Sequence, residues 1–171
     1  MLAIPPVRLA GPDDAHAIAL FSREFIEHGL GWKYTRPRIL EAIQSSTINV
    51  AVIHERGCVM AFGIMEYQED AHLVLLGVQP TQRRRGLGQH IFSWLELPAI
   101  TAGIERILVE ARADNPGALS FYKKQGFRVQ ASIPGYYRGR IDGIRLEKQL
   151  GVLPESTHIY ETPGKGGVKP A

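Results

Sequence analysis

Between Thr47 and Pro80 the chain carries three runs dominated by β-branched and apolar residues, TINVAVIHE, CVMAFGIMEYQ and HLVLLGVQP. The interruptions Arg56-Gly57 and Glu69-Asp70 have turn composition, so the pattern predicts an antiparallel meander of three strands. Ahead of it, VRLAG reads as a short extended piece. PDDAHAIALFSREFIEHGL then places Ala15, Ile18, Ala19, Phe25 and Ile26 at helical spacing, with Asp13 or Asp14 as cap and Gly29 and Gly31 closing the helix. RPRILEAIQS predicts a second, shorter helix.

Past the meander, Leu87, Ile91, Trp94 and Leu95 form an apolar stripe that predicts a helix from about Arg85 to Leu97. RILVEAR is a strand. NPGALSFYKKQG is a helix with Asn115 as N-cap, Pro116 at its first position and Gly126 just beyond its end. FRVQASI and GIRLEKQL are two further strands joined by PGYYRGRID. The order β, α, α, β, β, β, α, β, α, β, β predicts one α/β domain with a mixed sheet over residues 1–150. Residues 151–171, rich in Gly and Pro and without apolar periodicity, read as a C-terminal tail. A contact with another copy of the chain, making a homodimer, is one way such a tail would be held.

Composition narrows the function classes. The chain has 171 residues, 44% of them hydrophobic and 22% charged, which fits a single folded domain rather than a disordered one. A formal charge of +3 is too mild to demand a nucleic-acid partner but suits an anionic ligand. Cys58 is the single cysteine, so the chain forms no internal disulfide; on a predicted strand it is expected in the core. The histidines at 16, 28, 54, 72, 90 and 158 show no pair spacing that predicts a metal site. No signal peptide and no membrane-spanning run is apparent, so a cytoplasmic protein is expected.

The segment VQPTQRRRGLGQH, Val78 to His90, joins a strand to a helix N-terminus. The first amides of a helix lack internal partners and its dipole is positive there, so a phosphate is well placed. Gly86 and Gly88 let a ligand approach the backbone, and Arg83, Arg84 and Arg85 can add contacts to phosphate oxygens. Two related motifs fail: a P-loop needs Lys then Ser or Thr after its second glycine, where Gln89 and His90 stand, and a dinucleotide fingerprint needs a small residue at Ile91. A solvated basic turn is the alternative reading of these residues alone.

The wider pattern Val78-x-Pro80-x-x-Arg83-x-x-Gly86-x-Gly88 resembles the acetyl-CoA-binding signature of the GCN5-related N-acetyltransferases (GNAT superfamily). Downstream, VEARADNPGALSFYKKQGF is similar to that superfamily's second conserved block, with Asn115, Ala118, Tyr122, Gly126 and Phe127 in register. The resemblance covers the chain apart from the tail. It implies a mostly antiparallel sheet of about seven strands flanked by about four helices, with splayed central strands that bind acetyl-CoA as cosubstrate. It also implies that the backbone from Arg84 through Gly86, Leu87 and Gly88 to Gln89 cradles the CoA pyrophosphate. Leu76, Gly77 and Val78 would pair with pantetheine, a backbone N–H near Val78 would polarise the thioester, and Arg83 would face solvent or the adenosine phosphate.

By the same resemblance, Tyr122 would be the acid that protonates the departing thiolate; the plainer reading is a half-buried packing tyrosine. VEARADN resembles LEVRASN of the bacterial ribosomal-protein-alanine N-acetyltransferases, which implies Glu110 as base; the alternative is a surface glutamate on an alternating strand. Asn115 would contact CoA as well as capping its helix.

On the acceptor side, the pair Tyr136-Tyr137 resembles the peptide-gripping hairpin of N-terminal acetyltransferases, with Trp32 and Tyr34 as the opposite wall. The hairpin is shorter and more basic than in the ribosomal enzymes, with Arg138, Arg140 and Arg145 nearby. That departure would suit a substrate carrying a carboxylate. The acceptor is thus expected to be a primary amine, either a protein N-terminus or a small molecule such as an amino acid, polyamine or aminoglycoside. A non-catalytic acetyl-CoA-binding module is the competing class.

Overall fold

The computed structural model describes residues 3–151. Seven strands form one sheet in the order β1-β2-β3-β4-β5-β7-β6. They are β1 (Arg8–Leu9), β2 (Ile48–Glu55), β3 (Cys58–Tyr67), β4 (Ala71–Val78), β5 (Arg106–Arg112), β6 (Arg128–Tyr137) and β7 (Ile141–Gln149). The helices are α1 (Ala15–Phe21), α2 (Arg36–Gln44), α3 (Leu87–Thr101) and α4 (Pro116–Lys124). Every neighbouring pair is antiparallel except β4 and β5. The predicted order of elements, the meander and the mixed sheet are all present. Residues 152–171, on which the tail and homodimer readings fall, lie outside the described residues.

Local chemistry accounts for the turns. Arg56 and Gly57 link β2 to β3 with φ of 51° and 78°, the pair of left-handed residues that a tight hairpin of matching twist requires. Asn115 caps α4, its Oδ1 accepting from the Ala118 N–H at 3.1 Å. The two faces of the sheet bury separate cores. Ala71, Leu73, Ile107, Val109 and Leu146 pack with Ile91, Phe92 and Leu95 of α3. On the other face, Val50, Val52, Phe62 and Ile64 pack with Ile18, Phe21 and Ile39 of α1 and α2.

Several expectations are corrected. The first helix does not run regularly to Gly29: after Phe21 it widens into a single π-type turn, Ser22–Ile26. The extra residue turns the apolar stripe, so Phe21 is buried and Phe25 is 39% exposed. Asp14 does not cap that helix through its side chain. It closes the preceding 3₁₀ turn, accepting from the Gly11 N–H at 2.8 Å and from Arg8 at 2.7 and 3.1 Å. Helix α3 starts at Leu87 rather than Arg85, because Arg84 and Gly86 take left-handed φ of 65° and 82°. It then runs past Leu97, through Pro98, to Thr101. Tyr136 and Tyr137 belong to β6 rather than to a loop, and the turn is confined to Arg138–Arg140. Cys58, expected in the core, is exposed at the first position of β3. Among the described residues, no helix is long and apolar enough to cross a membrane.

Candidate active site

Strands β4 and β5 run parallel for only three register pairs, Ala71 with Ile107, His72 with Leu108, and Leu73 with Val109. The closed end is latched by Arg106, whose Nε and Nη2 donate to Asp70 at 2.9 and 2.8 Å. Beyond Leu73 the partners part: β4 stays with β3 to Val78, and β5 stays with β7 to Arg112. The β3–β4 register also slips there, since Ile64 faces Leu75 and Met65 faces Leu73, leaving Val74 as an extra residue that bends β4. The result is a wedge, and Leu76, Gly77 and Val78 line its β4 side with no β5 partner.

The wedge leads into the Arg83–Gly88 turn. The first backbone bond of α3 runs from the His90 N–H to the Gly86 carbonyl at 3.0 Å. No N–H from Arg83 to Gln89 donates to a described residue. Consecutive free amides at a helix N-terminus form a cradle for an anion. Gly86 is needed for its backbone conformation, whereas Gly88 is needed for space: a Cβ there would stand 3.3 Å from Phe121 and 3.4 Å from Val78. Gly77 also serves packing, because a Cβ would lie 2.8 Å from Phe21 and 2.9 Å from Ile26. Arg83 and Arg84 are exposed beside the amides. Arg85 is turned away from them, its guanidinium held by Glu55 and Gln82.

On the face covered by α1 and α2, three neighbouring strands contribute a polar row. Glu110 of β5 lies with Oε2 2.5 Å from His72 Nε2 on β4. Its Oε1 accepts from Arg145 Nε on β7 at 3.0 Å. The Glu110 side chain is only 9% exposed. Burial alone would raise its pKa, but the bonds from His72 and Arg145 outweigh burial and hold it below the ordinary carboxyl value. His72 moves the other way: its bond to Glu110 raises the imidazole against the opposing effect of burial.

Aromatic hydroxyls surround this row. Tyr136 and Tyr137 meet edge to face with centroids 4.9 Å apart, and Tyr136 lies over Gly143. Burial, then Tyr136 and Glu110, push the Tyr137 phenol up to about 12. Tyr34 is half-buried within electrostatic reach of Tyr136. Trp32 is directed elsewhere, its indole N–H donating to the Ala19 and Tyr34 carbonyls at 3.2 and 3.1 Å. The loop bearing it is stapled by buried Glu27, which accepts from Ser22 Oγ and from the Lys33 and Tyr34 amides. Arg138 closes over Gly31, so the α1–α2 loop touches the β6–β7 turn. Tyr122 of α4 is buried between Phe121 and Phe127, and burial keeps its phenol protonated well above the ordinary value.

Residues 13–127 match the model of the acetyltransferase (GNAT) family. The chain belongs to that family. A curated relative, acetyltransferase SG1711 of Sodalis glossinidius, is 36% identical over 58 residues, which are 34% of this chain and 41% of that protein. The match thus spans about two-fifths of that relative's length. The ribosomal-protein-S18-alanine N-acetyltransferase of Escherichia coli superposes with a TM-score of 0.74 at 22% identity, over 88% of this chain and 96% of that one. The PaiA N-acetyltransferase of Thermoplasma acidophilum, solved with coenzyme A, superposes with a TM-score of 0.74 at 18% identity, over 87% and 100%. These likenesses establish a shared GNAT fold: seven strands, one parallel pair and four helices.

Within the GNAT frame, the structure gathers the expected groups into two neighbouring zones. Leu76–Val78, Arg83, Arg84 and Gly86–Gln89 border the wedge and its turn, Glu110, Tyr34, Tyr136 and Tyr137 border the polar row, and Tyr122 lies in the core against Phe121 and Phe127. Trp32 and Arg85 are engaged away from both. His72 was not singled out by sequence reasoning. Strand alternation carried the signal, since Ala71 and Leu73 are core residues and His72 between them must face the other side with Glu110. Among the described residues, no group of three His, Cys, Asp or Glu side chains is arranged to hold a metal ion.

Proposed function

We propose that this GNAT member transfers the acetyl group of acetyl-CoA directly to a primary amine, and that the amine is the N-terminus of an extended peptide. The observation that carries the reading is the wedge between β4 and β5 opening onto seven consecutive residues, Arg83–Gln89, whose N–H groups donate to no described residue. A diphosphate needs such a set of donors, and the unpaired edge Leu76–Val78 offers backbone groups to an extended pantetheine arm. Gly88 lets Phe121 and Val78 pack closely against the turn, where a Cβ would stand 3.3 and 3.4 Å from them.

The remaining groups match what acetyl transfer requires. A lysine-like amine has a pKa near 10 and must lose a proton before it attacks, so a base belongs beside the wedge. The Glu110–His72 pair stands there. Tyr122, protonated and buried on α4, supplies the proton to the leaving thiolate. A backbone N–H near Val78 serves the carbonyl oxygen as charge develops on it. Tyr136 and Tyr137 present rings and hydroxyls at the edge of the row, where they fit a peptide backbone.

A small amine bearing a carboxylate is the second reading, favoured by the Arg138 guanidinium, which lies against Gly31 where the β6–β7 turn meets the α1–α2 loop. Thiol release from acetyl-CoA, measured with a panel of peptides and small amines, tests both. Amine-dependent release that falls in Tyr122→Phe supports transfer, and the preferred acceptors decide between peptide and small molecule. Binding of acetyl-CoA without thiol release for any amine would refute catalysis.

A further inference from the structure

We propose that His72 is the group that takes the proton from the acceptor amine, with Glu110 as its positioning carboxylate rather than as the base itself. This rests on the acetyl-transfer reading above. Glu110 is poorly suited to receive that proton. Both of its oxygens are engaged, Oε2 with His72 and Oε1 with Arg145, and little of its side chain reaches solvent. Protonating it would break two charge-assisted bonds in a half-dry site.

His72 has what Glu110 lacks. Its Nε2 is committed to Glu110, which fixes the tautomer with the proton on Nε2 and leaves the Nδ1 lone pair free. Nδ1 bonds to no described residue, and the side chain is 39% exposed. The position is apt: His72 precedes Leu73, the last β4 residue in register with β5, and so stands at the apex of the wedge. The charged and titratable groups around it are Glu66 directly across on β3, Glu110 on β5 and Arg145 on β7, with Tyr136 and Tyr137 of β6 beyond Glu110. The carboxylates favour the imidazolium that forms on proton uptake, and Glu110 holds it by a short bond. This is the division of labour seen wherever a buried carboxylate orients a histidine base.

The step balances as follows. The acceptor ammonium gives one proton to His72 Nδ1. The freed nitrogen lone pair forms an N–C bond to the acetyl carbonyl carbon, and the C–S bond breaks with its electron pair leaving on sulfur. The second proton of the nitrogen passes through the Tyr122 hydroxyl to that sulfur, giving the amide and CoA thiol. The His72 proton is then lost to solvent.

The test has two arms. In the first, kcat/KM is measured against pH for wild type, His72→Gln and Glu110→Gln with an amine that the wild type accepts. The expected wild-type profile loses activity on the acid side as His72 protonates. Glu110→Gln moves that limb to lower pH, because the bond that favours the imidazolium is weakened. His72→Gln removes the limb and lowers kcat by about 100-fold. A limb that survives in His72→Gln but disappears in Glu110→Gln overturns the assignment. In the second arm, the wild-type His72 ring is followed by nitrogen NMR, which needs neither a variant nor an amine. The expected ring carries its proton on Nε2 and titrates above pH 6.5. A ring protonated on Nδ1 when neutral overturns the assignment even if no acceptor has been found. Absence of thiol release in wild type with the expected NMR result refutes the transfer reading instead.

Discussion

Leu73 and Val109 are the last residues in register between β4 and β5, and beyond them β4 runs on to the Arg83–Gln89 turn without a β5 partner. Below them the parallel strands are latched by Arg106 and Asp70. Above them β4 bends at Val74 and leads to a turn of free amides. The proposed cofactor zone lies within the opening, and the His72–Glu110–Arg145 row crosses the sheet beside its apex.

In the proposed mode the turn binds through its backbone, so its glycines should matter more than its arginines. Gly86 stands at φ 82°, where a β-branched residue is strained by roughly 1–2 kcal/mol, and straightening the turn would misdirect the amides. Titration calorimetry with acetyl-CoA should show affinity lost by well over tenfold in Gly86→Val and by only a few-fold in Arg83→Ala. The exposed arginine has water and salt to compete with.

Tyr122→Phe should separate chemistry from binding. The hydroxyl donates to no described residue, so its loss leaves the packing against Phe121 and Phe127 intact. Steady-state kinetics should give a kcat lower by about 100-fold with a nearly unchanged KM for acetyl-CoA. Equal losses in binding and turnover would make Tyr122 a packing residue.

The polar row predicts a pH-dependent stability. Glu110 titrates below the ordinary carboxyl value of 4.5, so its contribution is present above that pH and is lost as pH falls through its folded value. His72 titrates above the ordinary 6.5, so its contribution is complete below that pH and is lost as pH rises through its folded value. Thermal melts should therefore show the gap in Tm between wild type and His72→Gln widest between about pH 4.5 and 6.5. A gap that keeps growing toward alkaline pH would contradict the pairing.

Asn115→Ala tests the start of α4, which carries Tyr122. Loss of the cap to the Ala118 N–H should cost about 1 kcal/mol in urea unfolding. A Ser replacement, which caps nearly as well, should recover most of it.

The acceptor wall makes a separate prediction. If Tyr136 and Tyr137 grip a peptide, Tyr136→Ala should raise the KM for a peptide acceptor by about tenfold, a loss of roughly 1.4 kcal/mol. The KM for acetyl-CoA should hold. An unaltered peptide KM would leave the tyrosines as hairpin packing.

Much of this was legible in the sequence, for identifiable reasons. Alternation and turn residues are local, so Arg56-Gly57, Asn115-Pro116 and Gly126 marked their turns and caps correctly. The Val78–Gly88 and Val109–Phe127 blocks carried the family because each is a run of residues adjacent in sequence. What stayed hidden depends on where distant chain segments meet. Arg85 reads as one of three equal arginines until folding brings Glu55 beside it. Trp32 reads as a pocket wall until α1 presents the Ala19 carbonyl to its indole. The π-type turn after Phe21 is a one-residue change of phase that apolar spacing does not encode, and it moved Phe25 to the surface. His72 and Glu110 lie 38 residues apart, and only the short parallel register of β4 with β5 puts them on one row.

In the proposed mode of binding, the amides of the Arg83–Gln89 turn and the edge of β4 that faces the wedge hold the cosubstrate. Amide hydrogen exchange with and without CoA reads those groups directly. Exchange should slow on CoA addition at residues 84–89 and 76–78, and the slowing should be lost in Gly86→Val. Protection confined to other segments, or none under conditions where CoA binds, would contradict it.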